Sequence, residues 1–350
     1  MKQTIIRTGL ETLYFSGMHR LMRPLVGGVG CILTLHHVRP GRPDAFQPNR
    51  LLEITPEFFE ALLQTLQRQS VDVISLDEMH RRMTAGDFAR RFVCLTFDDG
   101  YKDVLQWAYP LLKQYDMPFA MFIATSFPDR LGELWWLGLE AVIAQNTRVS
   151  FSMDGEQRSF DCVQTVEKRE TYATLYTHLR KMNSDAQVRA AVRDLCARHD
   201  VDLGALCRNL CMDWKEIGRM ADEPLCAIGA HTVNHPMLKK MADDAAVRAE
   251  MEQSRAVLDA ALGKKPEHLA YPVGDPTSAG AREFRIAGEL GFKTAVTTRP
   301  GVLFAEHHEH LTALPRISIN GEFQQQRYLK VLMSGAGSAV WNGFRRINAA

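Results

Sequence analysis

The sequence predicts an α/β fold, namely a (β/α) barrel of about seven or eight strands that is interrupted by an inserted and mainly helical segment. Short apolar runs alternate with helical patterns from Cys31 onward, which is typical of stacked β/α units rather than of a sandwich or a bundle. Two of these runs end in motifs that are rich in aspartate or histidine. Because barrel enzymes keep their chemistry at the carboxyl ends of the strands, these motifs indicate where an active site would lie.

Each predicted strand is a short apolar run that is bounded by turn residues. The runs cover residues 31–35, 71–75, 92–97, 119–124, 226–230, 268–272, 294–297 and 314–319. Thr55-Pro56-Glu57 predicts the start of the first helix after strand one, because it combines a capping residue, a proline in the first turn and an early acidic residue. Helical patterns also cover residues 102–115 and 245–262.

The strand and helix alternation stops between residues 126 and 213, and this segment is predicted to be an insertion. The domain boundaries are therefore an N-terminal helical segment at 1–28, the barrel at 29–125 and 214–335, and the insertion at 126–213. Residues 163–202 predict charged helices around a turn. The pair Trp135-Trp136 at the root of the insertion is expected to anchor it to the core, with stacking on a sugar face as the alternative.

Composition and charge favour a neutral or locally charged substrate. Lysine plus arginine (42) nearly balances aspartate plus glutamate (41), so no global field attracts nucleic acid. The seven cysteines lack paired spacing, which indicates reduced thiols in a cytoplasmic protein; Cys207 and Cys211 are interpreted as helical thiols rather than metal ligands. The first residues lack the pattern of an export signal, and residues 1–25 form a basic segment for which peripheral contact with a membrane is an alternative to packing on its own domain.

Two motifs carry the chemistry. Asp98 and Asp99 follow an apolar strand and precede Gly100, and His231 and His235 follow another apolar strand with a spacing of four. Two imidazoles and one carboxylate can bind a single cation, while the neighbouring carboxylate lies beside a reactive water. A plain Asp-Gly turn would leave Asp98 with an uncompensated desolvation cost, so we interpret the motifs together as a one-metal hydrolase site.

From Cys31 to Ile319, apart from the insertion, the chain resembles NodB-type polysaccharide deacetylases, which are the metal-dependent carbohydrate esterases of family four. The resemblance rests on residues 96–100 and 231–235. It implies a deformed (β/α) barrel in which Asp98 is the general base. It also implies that Asp99, His231 and His235 hold a divalent metal, for which zinc is expected.

The resemblance extends to a third motif at residues 269–274, which in that family shapes the groove. It implies substrate-binding roles for Tyr271, Pro272 and Gly274, with the backbone N–H of Tyr271 donating to the oxyanion. Ala270 stands where the family often has an arginine that holds the base. Arg316, at the end of the last strand, resembles the arginine that other members use instead.

The late histidine that usually acts as the general acid is absent, since no histidine follows His310. Members with a rearranged strand order carry this histidine on the first strand, and residues 33–38 resemble that strand. This makes His36 the predicted general acid, with His37 as the open alternative. The histidines of the loop before the last strand are interpreted as solvated; they are His307, His308 and His310.

The predicted function is therefore hydrolysis of N-acetyl groups on an amino-sugar polysaccharide or a glycoconjugate precursor. Two alternatives remain at this stage. One is a hydrolase of small amides or cyclic imides, similar to allantoinase, and the other is a carbohydrate-binding protein without catalysis. The first alternative would open the ring of a cyclic imide instead of releasing acetate. The second would require that the base or a metal ligand is lost, whereas all of these residues are present.

Overall fold

A computed structural model describes residues 2–69 and 71–349. Its strands are β1 (Gly30–Leu35), β2 (His37–Val38), β3 (Glu53–Ile54), β4 (Asp72–Val73), β5 (Phe92–Phe97), β6 (Phe119–Ile123), β7 (Arg148–Met153), β8 (Glu156–Asp161), β9 (Cys226–Ala230), β10 (His268–Ala270), β11 (Thr294–Pro300) and β12 (Leu314–Ser318). Each predicted strand is present within a few residues of its expected position. The one predicted at 71–75 is only the short strand β4.

The helices alternate with these strands. They are α1 (Lys2–Phe15), α2 (Met18–Val26), α3 (Pro56–Arg68), α4 (Leu76–Ala85), α5 (Tyr109–Gln114), α6 (Trp135–Gln145), α7 (Thr165–Lys181), α8 (Asp185–Arg198), α9 (Leu203–Leu210), α10 (Trp214–Ala221), α11 (Asp244–Leu262), α12 (Ala281–Glu289), α13 (Gln326–Met333) and α14 (Ala336–Trp341). Thr55 caps α3 through its side chain, as predicted. The helix predicted at 102–115 is present from residue 102 to residue 114, and it contains a π-helical turn, Val104–Ala108, before α5.

Seven parallel strands close into a barrel, which confirms the predicted fold class. Their order is β1, β12, β11, β10, β9, β6 and β5, and β5 pairs again with β1. The short strand β4 pairs with the start of β5. Alternate residues of the strands fill the barrel with one apolar cluster, which includes Ile32, Cys94, Phe122, Ala270, Val296 and Leu314. The intervening residues pack against the surrounding helices.

The segment between β6 and α10 is mainly helical, as predicted, and has its own apolar core. It contains α6 to α9 and an antiparallel hairpin of β7 and β8, which the sequence did not indicate. Trp135 and Trp136 are buried in this core. The hydroxyl of Tyr172 donates to Asn49, and Arg42 pairs with Glu140, so the segment is tied to the loop after β2.

The N-terminal helices α1 and α2 pack against the C-terminal helices α13 and α14. Leu10 lies in a small cluster with Tyr328 and Val331, and Glu11 accepts hydrogen bonds from Arg327 and Tyr328. No helix within residues 2–69 and 71–349 is long and apolar enough to span a bilayer.

Candidate active site

The two aspartates leave the end of β5 in different directions. Along β5 the inward-facing row runs through Cys94 and Thr96, and Asp98 continues it with the same period of two. Asp99 has a φ of 70° and Gly100 a φ of 65°, so the chain turns sharply directly after Asp98. Both carboxylates are buried, at 2% and 3% exposure, although they are neighbours in sequence. The turn therefore directs the two carboxylates to different partners.

The histidine motif after β9 is a tight turn rather than a helix. Thr232 and His235 both have positive φ, at 65° and 56°, and the N–H of His235 donates to the Thr232 hydroxyl at 3.1 Å. Glu250 of α11 accepts the backbone N–H groups of Val233 and Asn234, each at 2.9 Å. These bonds hold the turn in its strained backbone conformation.

Asp99, His231 and His235 converge on one point. The Nε2 atoms of the two histidines lie 3.4 and 3.3 Å from Asp99 Oδ1. The Nδ1–H of His231 donates to the carbonyl of Ala270 at 2.7 Å, so Nε2 is the ring nitrogen that faces Asp99. Asp99 Oδ1 is buried and has no hydrogen-bond partner among residues 2–69 and 71–349.

This donor set fits a divalent cation. Burial would raise the pKa of Asp99, but His235 and His231 outweigh burial and hold it well below its ordinary range, so the group carries a negative charge. Burial lowers the pKa of His235 to about 4, so that its ring is neutral at pH 7, as a metal ligand must be. Two imidazoles and one carboxylate are a frequent set for zinc with an open position for a substrate or water. The buried Asp99 oxygen without a partner is the atom that such a cation would satisfy.

Asp98 is held by Arg316 through a bidentate ion pair. Arg316 Nη1 lies 2.7 Å from Oδ1 and Nη2 lies 2.6 Å from Oδ2, while Arg316 also donates to Thr96 and to the carbonyl of Thr297. Arg316 is 1% exposed and extends the inward-facing row of β12. Burial alone would raise the pKa of Asp98, but the charge and hydrogen bonds of Arg316 keep it below its ordinary range. The carboxylate is therefore ionised and fixed in orientation.

The two histidines after β1 differ in their surroundings. His36 Nε2 lies 4.0 Å from Asp98 Oδ2, and its side chain is 20% exposed, so it borders the site. His37 is 1% exposed; its Nδ1 pairs with Asp103 at 2.5 Å and its ring stacks on Tyr101. The structure thus places His36 beside the predicted base, whereas His37 is buried against Asp103 and Tyr101. Burial lowers the pKa of His36 below its ordinary value, although Asp98 and Asp99 oppose this effect.

The role that was predicted for the Tyr271 backbone is wrong. Its N–H donates to the carbonyl of Val296 on β11 at 3.1 Å, and its hydroxyl donates to the carbonyl of Thr312, so both donors of Tyr271 are used. Pro272 has no N–H, and Val273 is therefore the next donor along the chain. Its N–H has no partner in the described part of the chain, and its φ of 60° turns it away from the strand ladder.

A family comparison decides the classification. A family model described as polysaccharide deacetylase matches residues 85–146 and 151–295, which is more than half of the chain. The chain belongs to the polysaccharide deacetylase family. This membership makes it a hydrolase that removes acetyl groups from polysaccharide, and it favours that prediction over a cyclic-imide hydrolase and over a protein that only binds carbohydrate.

Solved deacetylase structures share the fold of this polysaccharide deacetylase. Similar structures include the Streptococcus pyogenes deacetylase PplD in complex with acetate (21% identity, TM-score 0.58, 86% of this chain and 97% of that one). They also include IcaB from Ammonifex degensii (17% identity, TM-score 0.53, 87% of this chain and 96% of that one). A third is a de-N-acetylase from Aggregatibacter actinomycetemcomitans (14% identity, TM-score 0.55, 86% of this chain and 99% of that one). At these identities the likeness concerns the fold alone. A comparison with curated proteins gives no match.

Two parts of the deacetylase site were not predicted. Trp136, the second residue of α6, packs its ring 5.0 Å from that of His235, so the segment between β6 and α10 forms one wall of the site. Glu250 lies 15 residues after His235 in sequence, on the helix that follows the motif. A buried tryptophan and a helical glutamate have no distinctive local pattern, and only the tertiary structure shows where they lie.

One histidine that was predicted to be solvated is buried in the deacetylase. His307 is 1% exposed, its Nδ1 accepts the N–H of Phe304 at 3.0 Å, and its ring stacks on that of Phe304. Burial lowers its pKa to about 4. His308, in contrast, is exposed as predicted, and the three histidines of this loop take no part in the site.

Proposed function

We propose that this deacetylase uses a divalent metal, with zinc as the first choice, to hydrolyse N-acetyl groups on an amino-sugar glycan or a glycoconjugate precursor. The observation that carries the proposal is the pairing of two adjacent carboxylates with separate partners. Asp99 faces His231 and His235, whereas Asp98 is bound by Arg316 and stays out of that cluster. A hydrolase needs both a cation site and a free base beside it.

A zinc ion held by Asp99, His231 and His235 would polarise the acetyl carbonyl and make a water molecule easier to deprotonate. Asp98 then takes the proton of the attacking water. Because Arg316 occupies both oxygens of Asp98 from one side, the carboxylate keeps one orientation and need not reorganise during the reaction. The base is therefore prepared before substrate binds.

His36 is the general acid in this proposal. Its ring is neutral at rest, because burial lowers its pKa, so it must receive a proton before it can donate one to the leaving amine. Asp98 holds the water's proton after the first step and lies 4.0 Å away. The geometry thus offers a short route from the base to the acid. His37 supports this end of β1 through Asp103 and does not border the site.

The N–H of Val273 replaces that of Tyr271 as the donor to the oxyanion. It lies two residues beyond Tyr271, and the intervening Pro272 and the following Gly274 force the turn that frees it from the ladder. Gly274 has a φ of 66°, and a Cβ there would meet the backbone N of Thr298 at 2.8 Å. Pro272 and Gly274 thus shape the groove through the backbone.

We further propose a cytoplasmic location, which the seven free and buried cysteines support. Peripheral contact of residues 1–25 with a membrane belongs to the same proposal, since Leu21 and Leu25 are exposed on α2.

Acetate release from oligomers of N-acetylglucosamine tests the function directly. We expect the purified chain to release acetate, to lose this activity on treatment with a chelator, and to recover it when zinc is added back. Ring opening of cyclic imides under the same conditions is the control reaction and should stay at background. Acetate release that survives complete removal of metal would contradict the proposal.

A further inference from the structure

Unpaired positive charges surround a cleft at the start of the barrel strands. The cleft has a volume of about 250 Å³, and its lining includes Arg20, Arg23, Arg91 and Lys330. None of the four pairs with an acidic side chain within residues 2–69 and 71–349. Most arginines of the chain do pair, for example Arg316 with Asp98 and Arg82 with Asp72. A cleft with four uncompensated cations is built for an anion.

Arg91 contributes a fixed positive charge to this cleft. Its Nη2 donates to the carbonyls of Gly27 and Met333, at 2.5 and 2.7 Å, which holds the guanidinium between the end of α2 and the end of α13. Its Nε is buried and has no hydrogen-bond partner among the described residues. Arg20, Arg23 and Lys330 are exposed around it, so a ligand can approach from solvent. Guanidinium groups in such an arrangement are suited to phosphate oxygens.

An exposed apolar stripe lies on the same helix. Met18, Leu21 and Leu25 are spaced as one face of α2, and the two leucines are 72% and 73% exposed. Leu25 lines a small surface cavity together with Phe344, Arg345 and Arg346. Val340 and Trp341, at the end of α14, are also exposed. Because α2 and α14 pack together, the exposed residues of the two helices form one composite surface, which we call the terminal face. It comprises Met18, Leu21, Leu25, Val340 and Trp341.

The two chain segments that form the terminal face are more positively charged than the rest of the molecule. Residues 3–27 and 323–349 contain seven Lys or Arg residues and one acidic residue, Glu11, which gives a net charge of +6 against +1 for the whole chain. Glu11 is bound by Arg327, and Arg346 pairs with Glu306, which lies outside these two segments. Exposed leucines and aromatic residues beside arginines are typical of surfaces that lie in the headgroup region of a bilayer.

We propose that the terminal face docks on an anionic phospholipid bilayer, with a lipid phosphate in the cleft of Arg20, Arg23, Arg91 and Lys330. The cleft lies at the amino ends of the strands, since Arg91 directly precedes β5. Asp98 and Asp99 follow the carboxyl end of β5, and a strand of six residues spans about 20 Å. The catalytic end of the docked molecule therefore faces away from the bilayer.

This orientation restricts the substrate, an inference that rests on the proposed function. Sugar units that reach the catalytic end lie at least about 20 Å from the headgroups, which is the height of the barrel. A lipid-linked monosaccharide held at the bilayer surface is too short. The acetylated units must belong to an extended glycan chain or to a precursor that leaves the membrane.

Sedimentation with vesicles tests the docking without any substrate. We expect the full chain to sediment with vesicles of phosphatidylcholine and phosphatidylglycerol, less so as salt rises, and to stay in solution with phosphatidylcholine alone. The double variant R20Q/R23Q should partition about 25-fold less, and L21Q/L25Q at least about tenfold less. The control V163Q/V166Q changes two exposed valines of the insertion and should bind as the unaltered chain does.

Several results would overturn the docking proposal. They are a chain that stays in solution with both kinds of vesicle, binding that ignores phosphatidylglycerol, and equal loss of binding in the control variant. Binding of inorganic phosphate in calorimetry without vesicle binding would identify a site for a soluble anion instead. Because acetate release from soluble oligomers should be unchanged in R20Q/R23Q, failure of the docking and failure of the enzymatic proposal are measured separately.

Spin labels test the orientation. The native cysteines are buried, so labels can be placed at V340C on the terminal face and at L131C on the loop after β6, where Leu131 is 75% exposed. On anionic vesicles, we expect the label at 340 to be shielded from a water-soluble relaxation agent and the label at 131 to remain accessible. Shielding of the label at 131, or equal access at both positions, would contradict the orientation.

Discussion

At the scale of single residues, the site depends on a buried carboxylate whose cost of burial is offset by one arginine. Asp98 would be expensive to keep ionised inside the barrel, and Arg316 satisfies both of its oxygens. The resemblance to NodB-type deacetylases implied this pair, since Ala270 stands where the family often has an arginine. It did not indicate that Thr96 and the Thr297 carbonyl would fix the guanidinium in turn.

Replacing Arg316 by glutamine should impair both folding and catalysis. Loss of one partner of a buried pair typically costs about 3 to 5 kcal/mol, and a misplaced base costs about 10²-fold in turnover. Since Arg316 holds the pKa of Asp98 down, its removal raises that pKa, and the acidic limb of kcat/KM moves to higher pH. Urea unfolding and a pH–rate profile measure the two effects.

The matched control for this substitution is Arg82→Gln. It breaks an ion pair with Asp72 beside the start of β5, far from the site. It should reduce stability without moving the acidic limb. If both variants shifted the limb equally, Arg316 would have no special relation to the base.

The roles of the two histidines after β1 can be separated by substitution. His36→Gln should reduce turnover about 10²- to 10⁴-fold while bound metal stays unchanged, because the ring borders the site without joining the Asp99 cluster. His37→Gln should mainly reduce stability, because it breaks a buried contact with Asp103. Metal analysis, unfolding and acetate release distinguish these outcomes. A fully active His36 variant beside an inactive and well-folded His37 variant would assign the acid to His37.

At the scale of elements, the site is built from turns at strand ends that α11 stabilises. Glu250 accepts two backbone N–H groups and the Asn234 side chain, and these bonds keep the histidine turn in its strained conformation. The motif at 231–235 could be predicted because its spacing is local. The glutamate could not, because its contact depends on how α11 packs beside β9.

Substitution of Glu250 by glutamine should therefore weaken metal binding. Supporting residues of this kind typically contribute about 10- to 100-fold in metal affinity, and we expect a loss in that range for zinc, measured by competition with a chelating dye. Glu252→Gln on the same helix is the control, since Glu252 is exposed. Equal zinc affinity of the Glu250 variant and the unaltered chain would show that the histidine turn keeps its conformation without the Glu250 carboxylate.

Two failures of prediction also belong to this scale. The backbone of Tyr271 was assigned to the oxyanion, but the register of β10 on β11 uses its N–H in the ladder, whereas the N–H of Val273 has no partner among residues 2–69 and 71–349. His307 was expected in solvent, but the short helical turn after Phe304 folds it against that ring. In both cases backbone hydrogen bonding, between strands for Tyr271 and within a short turn for His307, decided where the residue lies. The residue type did not.

At the scale of the whole molecule, barrel closure brings together residues that are far apart in sequence. β1 pairs with both β5 and β12, and this places His36, Asp98 and Arg316 around one opening. The alternation of strands and helices predicted stacked β/α units, and the resemblance to NodB-type deacetylases implied that they form a deformed barrel. An insertion at 126–213 is predicted because the alternation of strands and helices stops there, and the hairpin of this segment and the contact of Trp136 with His235 depend on its own core.

The central claim is that adjacent aspartates have separate tasks, with Asp99 holding a metal and Asp98 acting as a base. The most direct measurement compares bound zinc and acetate release in Asp98→Asn and Asp99→Asn. We predict that the Asp98 variant retains about one zinc per chain and releases no acetate, and that the Asp99 variant loses both. Equal zinc content in the two variants, whether retained or lost, would contradict the account.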